Sequence, residues 1–162
     1  MQYFTFELWS KFSSENELER QQADVQWDEN SKLYWHMFEQ LKARIPKETI
    51  EFFTNEGFHD YHIQNLEMVH GDYKQKNPID VVITVTNAID TWKLNYKCVQ
   101  RFEVQYNPNS PSLSFHNGFD DWGYDELIAV NEEVLSHEIL FASGATILIH
   151  FPNQNILIEK VE

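Results

Sequence analysis

The sequence predicts an α+β fold, with N-terminal helices packed on a long, mainly antiparallel β-sheet. Three observations carry this reading. Apolar residues repeat with a helical period up to Gly57, then alternate or run together in short β-branched and aromatic blocks from Phe58 onward. Turn formers punctuate this second stretch at short intervals, in the polar loop 71–78, at Asn107-Pro108-Asn109-Ser110-Pro111, at Ser143-Gly144 and at Pro152-Asn153-Gln154-Asn155. The helical stretches are gathered at one end of the chain and do not alternate with the strands.

Each element has a local cause. Thr5 is placed to cap a short helix carrying Phe6, Leu8, Trp9 and Phe12. Ser14 followed by Glu17 fits a capping box, in which each side chain satisfies an otherwise orphan backbone N–H. The stretch 15–28 is polar and poor in large aliphatics, which makes it a weak helix. Tyr34, Met37, Phe38, Leu41 and Ile45 then fall on one helical face, with Trp35 and His36 off that stripe. Pro46 ends this helix and suits the first turn of the next, whose apolar side is Ile50, Phe52 and Phe53 and whose C′ residue is Gly57. Strands follow at 62–69, 79–86, 91–97, 102–106, 127–131, 134–141, 146–151 and 156–161. Ser143-Gly144 predicts a hairpin between the sixth and seventh, and 152–155 one between the seventh and eighth. Ile147, Ile149 and Phe151 alternate with Leu148 and His150, so the middle of the sheet is apolar on both faces and the helices are its cover.

Length and composition set the bounds. A chain of 162 residues reads as one domain, 1–162, with helices over 1–57 and the sheet over 58–162. Aromatics at 15% exclude a disordered chain. The single cysteine, Cys98, excludes an internal disulfide framework and a Cys-cluster metal site; it reads as a buried structural thiol within strand-like residues. No apolar run approaches the length of a membrane span, and the first residues lack a basic stretch and carry an early acid, Glu7. Both argue for a cytoplasmic location.

Charge narrows the partners. With 12 Lys+Arg against 26 Asp+Glu, the net charge of −14 repels phosphate-rich surfaces, which argues against nucleic acid and anionic membranes. Asp120, Asp121, Asp125, Glu126, Glu132, Glu133 and Glu138 follow one another with no Lys or Arg between them, a pattern that would steer a basic protein partner.

The candidate partner-binding residues are Asp120, Asp121, Trp122, Tyr124, Asp125 and Glu126, where four carboxylates meet aromatic anchors. The same mixture serves glycoside hydrolysis, which needs two carboxylates at a fixed separation, but neighbours in sequence do not supply that separation. Asp and Gly also make this segment a turn, with Trp122 and Tyr124 anchoring it to the core. His59 and His62 point to opposite faces if extended, which is poor geometry for a metal. There is no nucleophile elbow, no phosphate-binding glycine loop and no dinucleotide fingerprint, so no cofactor and no catalytic residue is assigned. The expectation is a non-enzymatic binding module. The alternative is a small-ligand or carbohydrate binder, or a weak hydrolase, built on the loop 119–126.

Several stretches together resemble a family of small bacterial cytoplasmic proteins of unknown function. They are Met1-Gln2-Tyr3-Phe4-Thr5 with Trp9, Phe58-His59-Asp60, Trp92-Lys93-Leu94-Asn95-Tyr96 with Val99-Gln100-Arg101-Phe102, Trp122-Gly123-Tyr124-Asp125-Glu126, and His137-Glu138-Ile139-Leu140-Phe141 leading to Gly144. The sheet layout is also similar to that of immunity proteins from bacterial polymorphic toxin systems. This resemblance implies an acidic inhibitor that covers a toxin's active surface, and it assigns no catalytic residue.

Overall fold

In the computed structural model, which describes residues 1–72, 74–115 and 117–161, the chain runs through three helices before its first strand. Helix α1 (Phe6–Lys11) starts where the Thr5 hydroxyl accepts the Leu8 N–H at 3.2 Å. Helix α2 (Glu17–Glu39) is continuous and unites the polar stretch with the apolar stripe that follows it. Its cap differs from the predicted box. Asn16 accepts the Leu18 N–H at 3.0 Å, while Ser14 accepts from the Asn16 N–H and donates to Glu19. Asn caps as well as Ser, and starting one residue before Glu17 puts Glu17 and Glu19 in the first turn, where acids suit the helix dipole.

A 3₁₀ turn (Lys42–Arg44) leads to Pro46, and α3 (Lys47–Asn55) follows directly. Gly57 ends α3 at φ +72°, a left-handed conformation that disfavours a side chain, with its N–H on the Phe52 carbonyl at 3.2 Å. The predicted stripe faces inward: Tyr34, Phe38, Leu41 and Ile45 are all buried. Each large apolar side chain so buried contributes about 1.5–3 kcal/mol relative to exposure.

Eight strands follow: β1 (His62–His70), β2 (Ile79–Thr86), β3 (Thr91–Tyr96), β4 (Arg101–Gln105), β5 (Trp122–Ala129), β6 (Val134–Phe141), β7 (Thr146–Pro152) and β8 (Ile156–Val161). Every pairing is antiparallel. The strands divide into two four-stranded sheets, ordered β1-β2-β3-β8 and β4-β7-β6-β5. Tyr73 of the predicted 71–78 loop lies outside the described residues.

Three local expectations are corrected. The β6–β7 hairpin turns through Ser143-Gly144 as predicted, with Gly144 at φ +78°, but 152–155 is no hairpin. Both edges of β7 are taken by β4 and β6, and Gln154 donates its N–H to the Arg44 carbonyl at 2.8 Å, so the chain crosses to the other sheet and β8 pairs with β3. Strand β5 begins at Trp122 and not at 127, because a bulge between Trp122 and Tyr124 absorbs the turn-like Gly123. Cys98 sits half-exposed in the β3–β4 turn at φ +54°, its N–H held by Asp80 at 2.9 Å.

One apolar core joins the two sheets and the helices. From the first sheet Val81, Ile83, Leu94, Tyr96 and Ile156 point into it; from the second come Leu127, Leu135, Ile139, Ile147, Ile149 and Phe151. Tyr96 bridges the layers, with its ring 5.3 Å from Phe151. From α3, Phe52 packs on Trp92 and Phe58, and Phe53 meets the His137 ring edge-on. Among the described residues no helix is long and apolar enough to cross a membrane.

Candidate functional site

Strand β5 organises the site because its two faces carry different chemistry. On one face Glu126 stands directly across from Glu138 of β6. The Glu126 carboxylate is buried and accepts the backbone N–H groups of Gln2, Tyr3 and Phe4, each at 2.7 Å. Glu138 accepts the Met1 amino group at 2.5 Å. These carboxylates strap residues 1–4 across the sheet and seat Phe4 in the core. Farther along, Trp9 of α1 points its Cζ3–Cη2 edge at Gly123: a Cβ added there would come within 2.3 Å of both atoms. Trp9 also meets Tyr124 edge-on at 5.0 Å.

The strap, α2, the end of α3 and the start of β5 enclose a pocket of about 430 Å³. Its walls are predominantly aromatic: Phe4, Trp27, Tyr34, Trp35, Phe38, Phe53, Phe58, Trp122 and Tyr124. Trp27 and Tyr124 meet at 4.5 Å between centroids, and Phe4 closes on Trp27 at 4.9 Å. Helix α2 supplies Trp27, Ser31, Tyr34, Trp35 and Phe38 at spacings of four, three, one and three, one helical face turned to the edge of β5. The Tyr34 hydroxyl accepts the edge N–H of Leu127 at 3.1 Å, which fixes the helix against the strand. Trp35 stands at the rim and keeps 41% of its surface exposed.

Asp125 is the carboxylate set among these rings. Its side chain is 15% exposed, its Oδ2 accepts the Trp122 indole N–H at 2.9 Å, and its Oδ1 lies 3.6 Å from His137 Nε2. His137 is fully buried, and its Nδ1 is 2.6 Å from the Tyr96 hydroxyl, while Nε2 has no hydrogen-bond partner. Having Tyr96 donate to Nδ1 turns the Nε2 proton toward Asp125; the other tautomer would face a lone pair at a carboxylate oxygen. Burial first, and then the charge of Asp125, push the phenols of both Tyr34 and Tyr96 well above their ordinary value. Asp125 is thus a carboxylate among rings with a single geometric hydrogen bond, backed by a buried imidazole.

The predicted binding residues separate into three groups. Trp122, Tyr124 and Asp125 line the pocket. Asp121, at φ +54°, accepts the Ser114 hydroxyl at 2.5 Å and faces a neighbouring hollow beside Trp9, and Asp120 is half-buried in the same loop. Glu126 is committed to the strap, and Trp122 is only 1% exposed. The six do not form one flat acidic face. Sequence reasoning missed Trp27, Tyr34, Phe53 and the His137–Tyr96 pair as site residues. The recurrence of Trp27, Ser31, Tyr34, Trp35 and Phe38 on one helical face was the available signal. His59 stands at the rim, its Nδ1 donating to the Gly123 carbonyl at 2.6 Å. Among the described residues no group of three His, Cys, Asp or Glu side chains is placed to hold a metal ion. No protein-family model, curated protein or solved structure matches the chain.

Proposed function

We propose that this chain is a non-enzymatic cytoplasmic binding protein whose aromatic pocket between α2, α3 and β5 takes a small organic ligand. The observation that carries the reading is the concave site itself: about 430 Å³ of ring-lined space with one poorly satisfied carboxylate inside it. Pockets of this size and lining suit small molecules, with a few polar groups fixing orientation. A hydrolase reading is weaker. Two His–carboxylate pairs lie at 3.6 Å: His137 with Asp125, where His137 is sealed at zero exposure out of reach of a substrate, and His59 with Asp60, an exposed pair at the rim whose imidazole is tied through Nδ1 to the Gly123 carbonyl. Saturation-transfer NMR against a set of small aromatic compounds tests the proposal. Binders should saturate and be lost when Ser31→Phe fills the pocket; a set with no saturable binder, or binders indifferent to Ser31→Phe, would count against it.

One observation favours a second reading, a basic protein partner engaged in the manner of an immunity inhibitor. Helix α2 exposes Leu18, Val25 and Leu33 at about 60% each beside exposed Glu17, Asp24, Asp28 and Glu29. Apolar anchors among acids suit a basic surface. Reversing Asp120 and Asp121 together with the α2 acids should slow association with such a partner and weaken its salt dependence.

A further inference from the structure

We infer that the ligand is a small organic ammonium ion, seated with its charged nitrogen on Asp125 and its apolar body among the rings of Trp27, Tyr34, Trp35 and Phe53. This rests on the pocket being a ligand site, and adds the chemistry of the occupant. The charged side chains of the lining are Asp125 inside and Glu56 at the rim, with the His59 imidazole beside it and no Lys or Arg. Asp125 is the decisive group. A carboxylate offers about four lone-pair sites, and here one hydrogen bond, from Trp122, is made. His137 Nε2 lies too far from Oδ1 for a second, at 3.6 Å. A largely buried carboxylate left this way is costly unless a donor or a cation completes it.

The rings point to the same occupant. Aromatic faces carry negative quadrupole charge and attract an ammonium within about 6 Å of the centroid. An anionic ligand would instead be repelled by the Asp125 carboxylate, whose side chain is only 15% exposed. The lack of nearby cations also distinguishes this pocket from the hollow on the far side of α3, which is lined by Lys42 and Lys47.

The test is a calorimetric titration with three probes of nearly equal shape: phenethylamine, phenethyl alcohol and hydrocinnamate. The amine should bind at least ~10-fold more tightly than the alcohol, the scale of one charge-assisted hydrogen bond, and the carboxylate should not bind. In Asp125→Asn the amine should fall to the affinity of the alcohol while the alcohol is still bound, which shows that the pocket survives the substitution. Should that variant fail to fold, the three-probe comparison on the unaltered chain still decides. Equal affinity for amine and alcohol, or binding of hydrocinnamate, overturns the ammonium inference and leaves the pocket as a ligand site. Failure of all three probes to saturate overturns both.

Discussion

Replacing Glu126 asks whether residues 1–4 are held by the buried carboxylate or merely rest on aromatic contacts. Three main-chain donors converge on it at 2.7 Å. A hydrogen bond to a charged group contributes about 1.5–3 kcal/mol, so three in full would sum to roughly 4.5–9 kcal/mol. That sum overstates the loss. The Gln2 and Tyr3 donors are partly buried, where water can replace the carboxylate, and only the Phe4 bond is fully buried. Removing one of two facing carboxylates also relieves repulsion with Glu138. Glu126→Ala should therefore cost about 3 kcal/mol, mainly the orphaned Phe4 donor and a share of the other two bonds. Glu126→Gln should cost roughly half as much, since its amide oxygen can keep Tyr3 and Phe4 while its NH₂ opposes the Gln2 donor. Urea denaturation followed by tryptophan fluorescence measures both variants, and hydrogen exchange at Tyr3 and Phe4 locates the change. A cost below ~0.5 kcal/mol for Glu126→Ala, typical of an uninvolved surface site, with protection at Phe4 unaltered, would refute the reasoning.

Other substitutions probe the remaining joints. Gly123→Ala places a Cβ 2.3 Å from the Trp9 ring, so Trp9 must move and stability should fall by about 1–3 kcal/mol in thermal melts. Arg44 donates to Asn153 and to the carbonyls of Asn131 and Val134, tying the 3₁₀ turn to two loops of the second sheet. Arg44→Met should cost about 1–2 kcal/mol by urea denaturation, as one exposed and two part-buried acceptors exchange a charged donor for water. Tyr34 and Tyr96 have folded-state pKa values above the ordinary 10.0. The stability they contribute is whole below pH 10 and is lost as pH rises beyond it, at about 1.4 kcal/mol per pH unit for each phenol. Replacing both by Phe should flatten the alkaline decline, and in the unaltered chain phenolate absorbance should show them ionising only as the protein unfolds.

Much of the fold was legible where a local cause acts alone. The Thr5 cap, the Gly57 stop and the limits of β2, β6 and β8 follow from capping chemistry and alternation that need no distant partner. The division into two sheets did not. It depends on β7 having both edges occupied and on Arg44 holding Gln154, and neither contact leaves a local mark. The start of β5 was hidden because Gly123, read as a turn residue, serves the bulge under Trp9. The site was half legible. Trp122, Tyr124 and Asp125 stood out as aromatics beside a carboxylate, but Glu126 turns to the face opposite Asp125, as alternation requires, where it is claimed by the strap. His137 reaches Asp125 only across the β5–β6 pair, and Tyr96 reaches His137 only between sheets. Both are products of tertiary packing.

The most direct test of the pocket follows the indole N–H signals of the five tryptophans by NMR while phenethylamine and then phenethyl alcohol are added. Trp27, Trp35 and Trp122 line the pocket, whereas Trp92 belongs to β3 and lines a different hollow. The account predicts saturable shifts at Trp27, Trp35 and Trp122 with Trp92 unmoved, at lower concentration for the amine than for the alcohol. Shifts absent for both probes, or spread evenly across all five indoles, would contradict it.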